Sequence, residues 1–287
     1  MKVLVTGGAG FVGTNLIKRL VSEGHKVTSV DNYSTGLRSN HILDVTYINQ
    51  DISFRYIDWS VYDDFDVVYH MAAIARIQPS FKKPIEYFKT NANGTMHIAE
   101  FCVRKNIPMI YAGSSSHHSG KFKNPYTFSK DIGEEIILLY QKHFGLKSSI
   151  ARFYNVYGPN HLKSGGYCTL IGAWENMIEN NEPLKIYGDG TKRRDFTHVD
   201  DIVDGLIKIH EKGIWDMEFE FGRGKNYSVN EIADMFGKER VYLEDKPGEA
   251  QNTLCDDTFA KDLLGWEPTR NIEDYINEYN NRISGIQ

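Results

Sequence analysis

The sequence predicts an α/β fold in which helices cover both faces of a doubly wound parallel sheet. Three observations support this prediction. Strand and helix signals alternate over the first two hundred residues, and a glycine-rich turn connects the first strand to the first helix. The third is composition: 287 residues with 41% apolar and 25% charged side chains are enough to build an ordinary globular core.

The predicted strands are short apolar segments bounded by turn residues, and the predicted helices carry apolar residues at helical spacing. The strands are residues 2–6, 26–30, 45–48, 67–70, 109–112, 149–153 and 219–221. The helices are residues 15–22, 95–104, 129–143, 170–178, 199–210, 256–264 and 272–283. Asp200 and Asp201 fall in the first turn of their helix, where its dipole favours acidic side chains.

Charge and cysteine content exclude several classes of function. The net charge of −5 argues against a nucleic acid or an anionic membrane as the main partner. Three widely spaced cysteines form no metal-binding pattern, so we expect no metal. The longest apolar run, residues 67–75, contains His70 and is too short to cross a membrane. We therefore expect a soluble, cytoplasmic protein.

The turn after the first strand has the features of a dinucleotide cradle. Gly7, Gly10 and Gly13 lie where backbone N–H groups and a helix N-terminus receive a pyrophosphate. Asp31 ends the second strand, 18 residues after Gly13, where an acid binds the adenosine ribose diol. An acid at this position repels a 2′-phosphate. The pattern thus predicts a Rossmann-type fold that binds NAD rather than NADP.

Tyr126 and Lys130 have the i, i+4 spacing that places two side chains on one helix face. A phenol has a pKa of about 10 and is a poor base at neutral pH. A neighbouring ammonium and an oxidised nicotinamide favour the phenolate and make it a usable acid/base. The helix follows a strand that ends near Ser114, within a dinucleotide-binding pattern, so we predict a proton-transfer site.

These motifs resemble the extended short-chain dehydrogenase/reductase family, in its NAD-dependent nucleotide-sugar epimerase/dehydratase branch and especially its sugar 4-epimerases. The resemblance covers nearly the whole chain. It rests on residues 5–13, 31–36, 51–52, 70–73, 91–95, Ser114, Tyr126 with Lys130, 152–159, 186–190, 194–201 and 263–266.

The resemblance implies a role for each matched residue. Ser114, Tyr126 and Lys130 are then catalytic. The implied NAD contacts, besides the glycines, Tyr126 and Lys130, are Phe11, Val12, Asp31, Asn32, Ser34, Thr35, Gly36, Asp51, Ile52, Met71, Ala72, Ala73, Ala75, Asn91 and Tyr154. The implied contacts with a nucleoside-diphospho-sugar are Ser114, Asn155, Tyr187, Arg194 and Lys246.

The chain departs from the family pattern just after Ser114. Ser115 and Ser116 stand where the dehydratases carry an acid and a base, and residues 112–125 contain no Asp or Glu. The loop that follows is shortened and carries His117 and His118, which we expect to face solvent rather than the sugar pocket. A dehydratase or decarboxylase is therefore disfavoured.

The expected reaction is epimerisation of a nucleoside-diphospho-sugar, UDP-linked, at C4 through a 4-keto sugar. Tyr126 takes the C4 hydroxyl proton, Lys130 lowers the tyrosine pKa, and Ser114 binds the same oxygen. The alternatives are a 4-keto reductase, a 3,5-epimerase/reductase, a 4,6-dehydratase, or an NAD-binding protein without turnover.

The resemblance also implies domains and assembly. Residues 1–158 form an NAD-binding domain, to which residues 196–225 return, and residues 159–287 form a smaller mixed α/β substrate domain interleaved with it. Apolar residues off the sheet-facing sides of two helices suit the family's homodimer interface. These are Phe101, Cys102, Ile137, Leu138 and Phe144.

Overall fold

The computed structural model describes residues 1–54 and 64–285. The strands are β1 Lys2–Thr6, β2 Lys26–Asp31, β3 Thr46–Asn49, β4 Val67–His70, β5 Met109–Ser114, β6 Ser148–Phe153, β7 Leu184–Tyr187, β8 Arg193–Asp195, β9 Glu218–Phe221, β10 Asn226–Ser228 and β11 Arg240–Leu243. The helices are α1 Phe11–Ser22, α2 Ile77–Lys82, α3 Pro84–Tyr87, α4 Thr95–Lys105, α5 Pro125–Phe144, α6 Leu170–Glu179, α7 Val199–Glu211, α8 Val229–Phe236, α9 Phe259–Leu264 and α10 Ile272–Ile283.

Seven strands form one parallel sheet in the order β3-β2-β1-β4-β5-β6-β9. The direction of strand addition reverses between β1 and β4. In a doubly wound sheet the crevice at the carboxyl ends of such strands is the usual ligand site. The predicted fold class is confirmed.

Alternate residues of the central strand enter two different cores. Val3 and Val5 pack on the side covered by α1, α7 and α9. Leu4 packs on the opposite side, with residues of α4 and α5. Because both faces are buried, β1 is continuously apolar rather than alternating.

A third core lies outside the main sheet. It joins α6, α8 and α10 with β7 around the buried side chains of Trp174, Phe236 and Tyr279. Two small sheets, β7 with β11 and β8 with β10, belong to this part of the chain. Residues 199–221 supply α7 and β9 to the main sheet's layers. Helix α9 also packs on the main sheet, although the sequence analysis assigned it to the other domain. The reason is that its Ala260 and Leu264 form an apolar face against the first core.

Three helix starts differ from the predicted ones for local reasons. Helix α1 begins four residues earlier, at Phe11, directly from the glycine turn. Helix α5 also begins four residues earlier, because the Asn124 side chain accepts a hydrogen bond from the Thr127 amide and Pro125 occupies the first turn. Helix α9 begins only at Phe259, since Thr258 has the non-helical conformation of a cap.

The apolar residues predicted for a second helix surface divide into two groups. Phe101, Cys102 and Ile137 are buried in the chain's own core, so this part of the prediction was wrong. Leu138 and Phe144 are exposed. The described helices include none that combines the length and the apolar character needed to cross a membrane.

Candidate functional site

A cleft opens where β1, β2, β4, β5 and β6 end. Its wall brings together most of the predicted cofactor residues. Those are Gly7, Gly10, Phe11, Val12, Gly13, Asp31, Asn32, Ser34, Thr35, Ile52, Met71, Ala72, Ala73 and Ala75. All three predicted catalytic residues line the same cleft, together with Asn155 and Arg194 of the predicted substrate set.

The glycine turn leaves no room for side chains. Gly7 has φ +70°, and a Cβ built on it would lie 2.7 Å from Ala72 Cα. A Cβ on Gly13 would lie 2.2 Å from the Gly7 carbonyl oxygen. Backbone therefore forms the surface of the cradle, and the first turn of α1 has no side-chain cap. A dinucleotide pyrophosphate fits such a turn, because the free N–H groups and the helix dipole both favour an anion.

Asp31 lies beside this turn at the end of β2. Its two carboxylate oxygens accept hydrogen bonds from the backbone amides of Ala9 (3.0 Å) and Tyr33 (2.8 Å). Burial raises the pKa of the Asp31 carboxyl, and those two amide bonds oppose the shift. Each carboxylate oxygen can accept a second bond, so the fixed carboxylate can receive the hydroxyls of a ribose diol.

Three predicted cofactor residues lie behind the cleft wall and support it. The Asn91 side chain bonds both backbone groups of Ile74, at 2.8 and 3.0 Å, and the Ser129 hydroxyl at 2.9 Å. Asp51 accepts a hydrogen bond from the Asn32 side chain at 3.0 Å. Gly36 packs on Ala9 of the glycine turn. These three residues hold lining segments in place.

Ser114 and Tyr126 meet at the centre of the cleft. The Tyr126 hydroxyl donates to Ser114 Oγ at 3.2 Å, and the Ser116 amide donates to the same oxygen at 3.2 Å. Burial raises the pKa of Tyr126 above its ordinary value, while the Ser114 bond and the charge of Arg76 oppose the rise. At neutral pH the side chain is thus the phenol, ready to donate a proton.

Lys130 lies one helical turn after Tyr126, as predicted, but its ammonium bonds a different group. Nζ donates to the Ala112 carbonyl oxygen at 2.6 Å and lies 4.1 Å from the centre of the Tyr111 ring. Burial lowers the Lys130 pKa to about 8, although Glu134 and Asp131 act in the opposite direction. Among the described residues, Arg76, which the sequence analysis missed, carries a positive charge that lowers the Tyr126 pKa.

Asn155 and Arg194 form the far end of the cleft. Asn155 Nδ2 donates to the Asp195 carbonyl at 2.9 Å and to Thr253 Oγ1 at 3.2 Å. Arg194 is mostly buried and pairs with Glu249 at 3.4 Å. Burial lowers the pKa of its guanidinium, which Glu249 opposes. Arg194 is thus a cation at the cleft wall whose ion pair with Glu249 is long.

Comparison with known proteins agrees with this geometry. Residues 3–217 match the model of the NAD dependent epimerase/dehydratase family. The chain belongs to this family. A relative, the UDP-glucuronate 4-epimerase of Thermodesulfobacterium geofontis, is 32% identical over 304 residues, which cover 94% of this chain and 92% of that protein.

Solved structures of epimerases in this family share the whole fold. UDP-glucose 4-epimerase from Thermotoga maritima, with UDP-glucose bound, superposes with a TM-score of 0.90 at 28% identity and covers 99% of this chain and 100% of that one. UDP-glucuronic acid 4-epimerase from Bacillus cereus, with UDP-glucuronic acid and NAD bound, gives a TM-score of 0.88 at 27% identity, with both chains fully covered. The family's cofactor, NAD, is the one that the glycine turn and Asp31 predict.

Three residues matched to family positions lie outside the cleft wall. Tyr154 is buried and stacks on His118, with ring centroids 6.4 Å apart. Tyr187 is 39% exposed, and Lys246 Nζ lies 3.2 Å from the centre of its ring. Gly248, Glu249 and Ala250 line the cleft instead of Lys246.

His117 and His118 are exposed and do not line the cleft. Each keeps an exposed edge while bonding a buried carboxylate, His117 with Asp131 at 3.0 Å and His118 with Glu220 at 2.9 Å. Both histidines are thus exposed, as expected, but each also forms an ion-pair contact with a buried carboxylate that the sequence did not predict. His117, Asp131 and Glu134 are close enough to share a metal ion, but Glu134 is engaged by the Arg152 guanidinium at 2.7 Å.

Proposed function

We propose that this enzyme reversibly inverts C4 of a nucleoside-diphospho-sugar, with UDP as the nucleotide and NAD as a retained cofactor. One observation carries the proposal. The Ser114–Tyr126 hydrogen bond lies in the same cleft as a glycine cradle and a ribose-binding carboxylate. Proton transfer and dinucleotide binding therefore meet at one place.

The protein's part in the reaction is to bind the sugar and move one proton. NAD, when bound, would supply the redox chemistry at C4, as a hydride acceptor in its oxidised form and a hydride donor in its reduced form. Gly7, Gly13 and Asp31 would hold its pyrophosphate and adenosine ribose. Tyr126 Oη exchanges a proton with the C4 oxygen, and Ser114 Oγ bonds that oxygen as well. The tyrosine is partly buried in the cleft wall, so a sugar bound there covers its hydroxyl and exchanges the proton with it directly.

The raised pKa of Tyr126 sets a condition for this exchange. Accepting the sugar's proton requires the phenolate, which burial disfavours. Ser114, by donating its own hydroxyl hydrogen to the phenolate, and Arg76, by its charge, both favour that form. A bound cationic nicotinamide adds charge of the same sign, so the phenolate forms best in the cofactor-loaded enzyme.

The substrate's diphosphate would be held by Arg194, with Asn155 beside it. A guanidinium pairs well with phosphate oxygens through two parallel hydrogen bonds. The contact of Arg194 with Glu249, at 3.4 Å, is long for a charge-assisted hydrogen bond and can be exchanged for a phosphate.

The cleft chemistry disfavours the dehydratase alternative. Among the described residues, the carboxylates that line the cleft are Asp31 and Glu249. Asp31 belongs to the cofactor side, and Glu249 pairs with Arg194. Neither is placed as an acid or base beside Ser115 and Ser116. A binding protein without turnover has no use for the Ser114–Tyr126 pair.

The test is product identification with purified enzyme and UDP-, GDP-, CDP- and dTDP-sugars. We expect the C4 epimer of a UDP-sugar, formed without net consumption of NAD. A 4-keto sugar that accumulates with one equivalent of NADH identifies a 4-keto reductase running in reverse, and loss of water identifies a dehydratase. A C3 or C5 epimer places the chemistry elsewhere on the ring. Each of these results contradicts the proposal.

We also propose that the enzyme is a homodimer in the cytoplasm. Leu138, Leu139 and Phe144 of α5 and Met96 of α4 are exposed apolar side chains on two helices that pack together. An apolar surface shared by two adjacent helices suits pairing with its own copy about a twofold axis. The free thiols of Cys102, Cys168 and Cys255 suit a reducing compartment.

A further inference from the structure

Arg76 is a partly buried cation in the cleft wall. Its Nε donates to the Tyr167 carbonyl oxygen at 3.2 Å. In residues 1–54 and 64–285, no ion pair involves this guanidinium. Arg194 and Arg152, by contrast, each pair with a carboxylate. A partly buried guanidinium with no acidic partner is electrostatically incomplete until an anion binds.

The backbone holds Arg76 in this position at a conformational cost. Arg76 has φ +89°, a region that side-chain-bearing residues rarely adopt. The buried Tyr87 hydroxyl lies at hydrogen-bond distance from the carbonyl oxygens of both Arg76 (2.8 Å) and Ala75 (3.0 Å). Such strain persists where the surroundings fix it, and it occurs often at ligand sites.

The position of Arg76 in the cleft indicates which part of a bound nucleotide-sugar lies next to it. The cofactor's pyrophosphate is expected at the glycine turn, and the sugar's diphosphate at Arg194. Arg76 lines the same cleft as Tyr126, and Tyr87 connects the two: its hydroxyl bonds the Arg76 carbonyl oxygen at 2.8 Å, and its ring lies edge-on to the Tyr126 ring with centroids 6.2 Å apart. The charge of Arg76 favours the Tyr126 phenolate. Tyr126 must touch the C4 oxygen in the proposed function. Arg76 therefore faces the substituents next to C4.

We propose that the substrate is a nucleoside-diphospho-hexuronic acid and that Arg76 pairs with the carboxylate on C5. This inference rests on the proposed function, since it places C4 at Tyr126. The C5 carboxylate adjoins the C4 hydroxyl, so one group reaches Arg76 while the other reaches Tyr126. The free N–H groups of the guanidinium match a carboxylate. A neutral hydroxymethyl group at C5 leaves the cation unpaired.

A rival role for Arg76 predicts a different pattern of effects. If Arg76 serves only to favour the Tyr126 phenolate, its removal weakens turnover equally for neutral and carboxylated sugars. The pH dependence of kcat then moves to higher pH for both. If Arg76 binds the carboxylate, its removal weakens mainly the binding affinity for the carboxylated sugar and leaves the affinity for the neutral sugar nearly unchanged.

The experiment measures binding of UDP-glucuronic acid and UDP-glucose to the NAD-loaded enzyme by calorimetry. We expect the wild-type enzyme to bind the carboxylated sugar about 10- to 100-fold more tightly, the usual value of a charge-assisted hydrogen bond. Arg76→Gln should reduce this ratio to near one, and Arg76→Lys should retain part of it. Arg104→Gln is the matched control, because Arg104 is an exposed arginine on α4 paired with Glu100.

Two results overturn the inference. One is a wild-type preference for UDP-glucuronic acid of less than about threefold. The other is an equal loss of affinity for both sugars in Arg76→Gln, while melting of the variant shows that it is folded. Calorimetry requires no turnover. An enzyme that prefers the carboxylated sugar through Arg76 but inverts neither would refute the proposed C4 chemistry and leave the binding inference standing.

Discussion

Replacing Gly7 by alanine tests whether the cradle needs a bare backbone. Gly7 has φ +70°, and an added Cβ would lie 2.7 and 2.8 Å from the Ala72 Cα and N atoms. Both neighbours are backbone atoms at the end of β4, so they cannot swing aside as a side chain would. Gly24 is the matched control, because its φ is +80° and an added Cβ meets nothing within 4 Å.

The two variants separate the cost of the dihedral angle from the cost of crowding. A non-glycine residue in the left-handed region costs about 1 to 2 kcal/mol, which both variants incur. Overpacking a close contact adds about 1 to 3 kcal/mol, which only Gly7→Ala incurs. We therefore expect Gly7→Ala to lose about 2 to 5 kcal/mol of unfolding free energy and Gly24→Ala about 1 to 2 kcal/mol.

Urea unfolding of both variants, followed by NAD titration, measures the two effects. Gly7→Ala should also bind NAD more weakly, since the turn must move to admit the methyl group. Gly24→Ala should bind NAD normally, because Gly24 is exposed and remote from the cleft lining. Equal stabilities and equal NAD affinities for the two variants would refute the close-approach argument.

Four further predictions follow from other residues. Because Asp31 repels a 2′-phosphate, the enzyme should bind NAD at least about tenfold more tightly than NADP in a fluorescence titration, and Asp31→Asn should narrow the ratio. Tyr126→Phe should lose at least about 100-fold in turnover while still binding NAD, so a variant that keeps most of its activity excludes Tyr126 as the proton carrier. Burial lowers the Lys130 pKa from 10.5 to about 8, so between these values the unfolded chain binds the proton that the folded chain has lost. The unfolding free energy of the NAD-free enzyme should thus rise with pH across this window by about 1 to 3 kcal/mol more than that of Lys130→Met, and parallel pH curves would contradict the shift. Light scattering at micromolar concentration should give twice the chain mass of 32.9 kDa, and a monomer mass throughout would contradict the dimer.

The sheet and the cofactor side of the cleft could be predicted well because their signals are local. Each central strand is a short apolar run between turn residues, so its predicted ends lie within one or two residues of the observed ones. The glycines of the turn directly indicate a tight backbone conformation, and Asp31 directly indicates an acidic group at the end of the second strand. The i, i+4 spacing of Tyr126 and Lys130 likewise needs only the geometry of a helix.

The sequence could not reveal features that depend on distant neighbours. In the sequence, Phe101 and Ile137 lie off the predicted sheet-facing sides of their helices, but in the structure both are buried in the core that α4 and α5 form with the sheet. The i, i+4 spacing suggests that the Lys130 ammonium acts on the Tyr126 hydroxyl, but in the structure it donates its hydrogen bond to the Ala112 carbonyl oxygen of β5. Arg76 is significant because no acid approaches its guanidinium within the described part of the chain, and only the fold reveals that. Its one local signal was a single arginine directly after the predicted cofactor contacts Met71, Ala72, Ala73 and Ala75.

The most direct test of the C4 mechanism follows one hydrogen atom. A UDP-sugar with deuterium on C4 is incubated with the enzyme in ordinary water, and the epimer is analysed by NMR. Because the carbon-bound hydrogen leaves and returns as hydride while Tyr126 handles only the hydroxyl proton, the inverted product should keep its deuterium on C4. Inversion with loss of that deuterium to solvent, or no inversion of any UDP-sugar, would contradict the account.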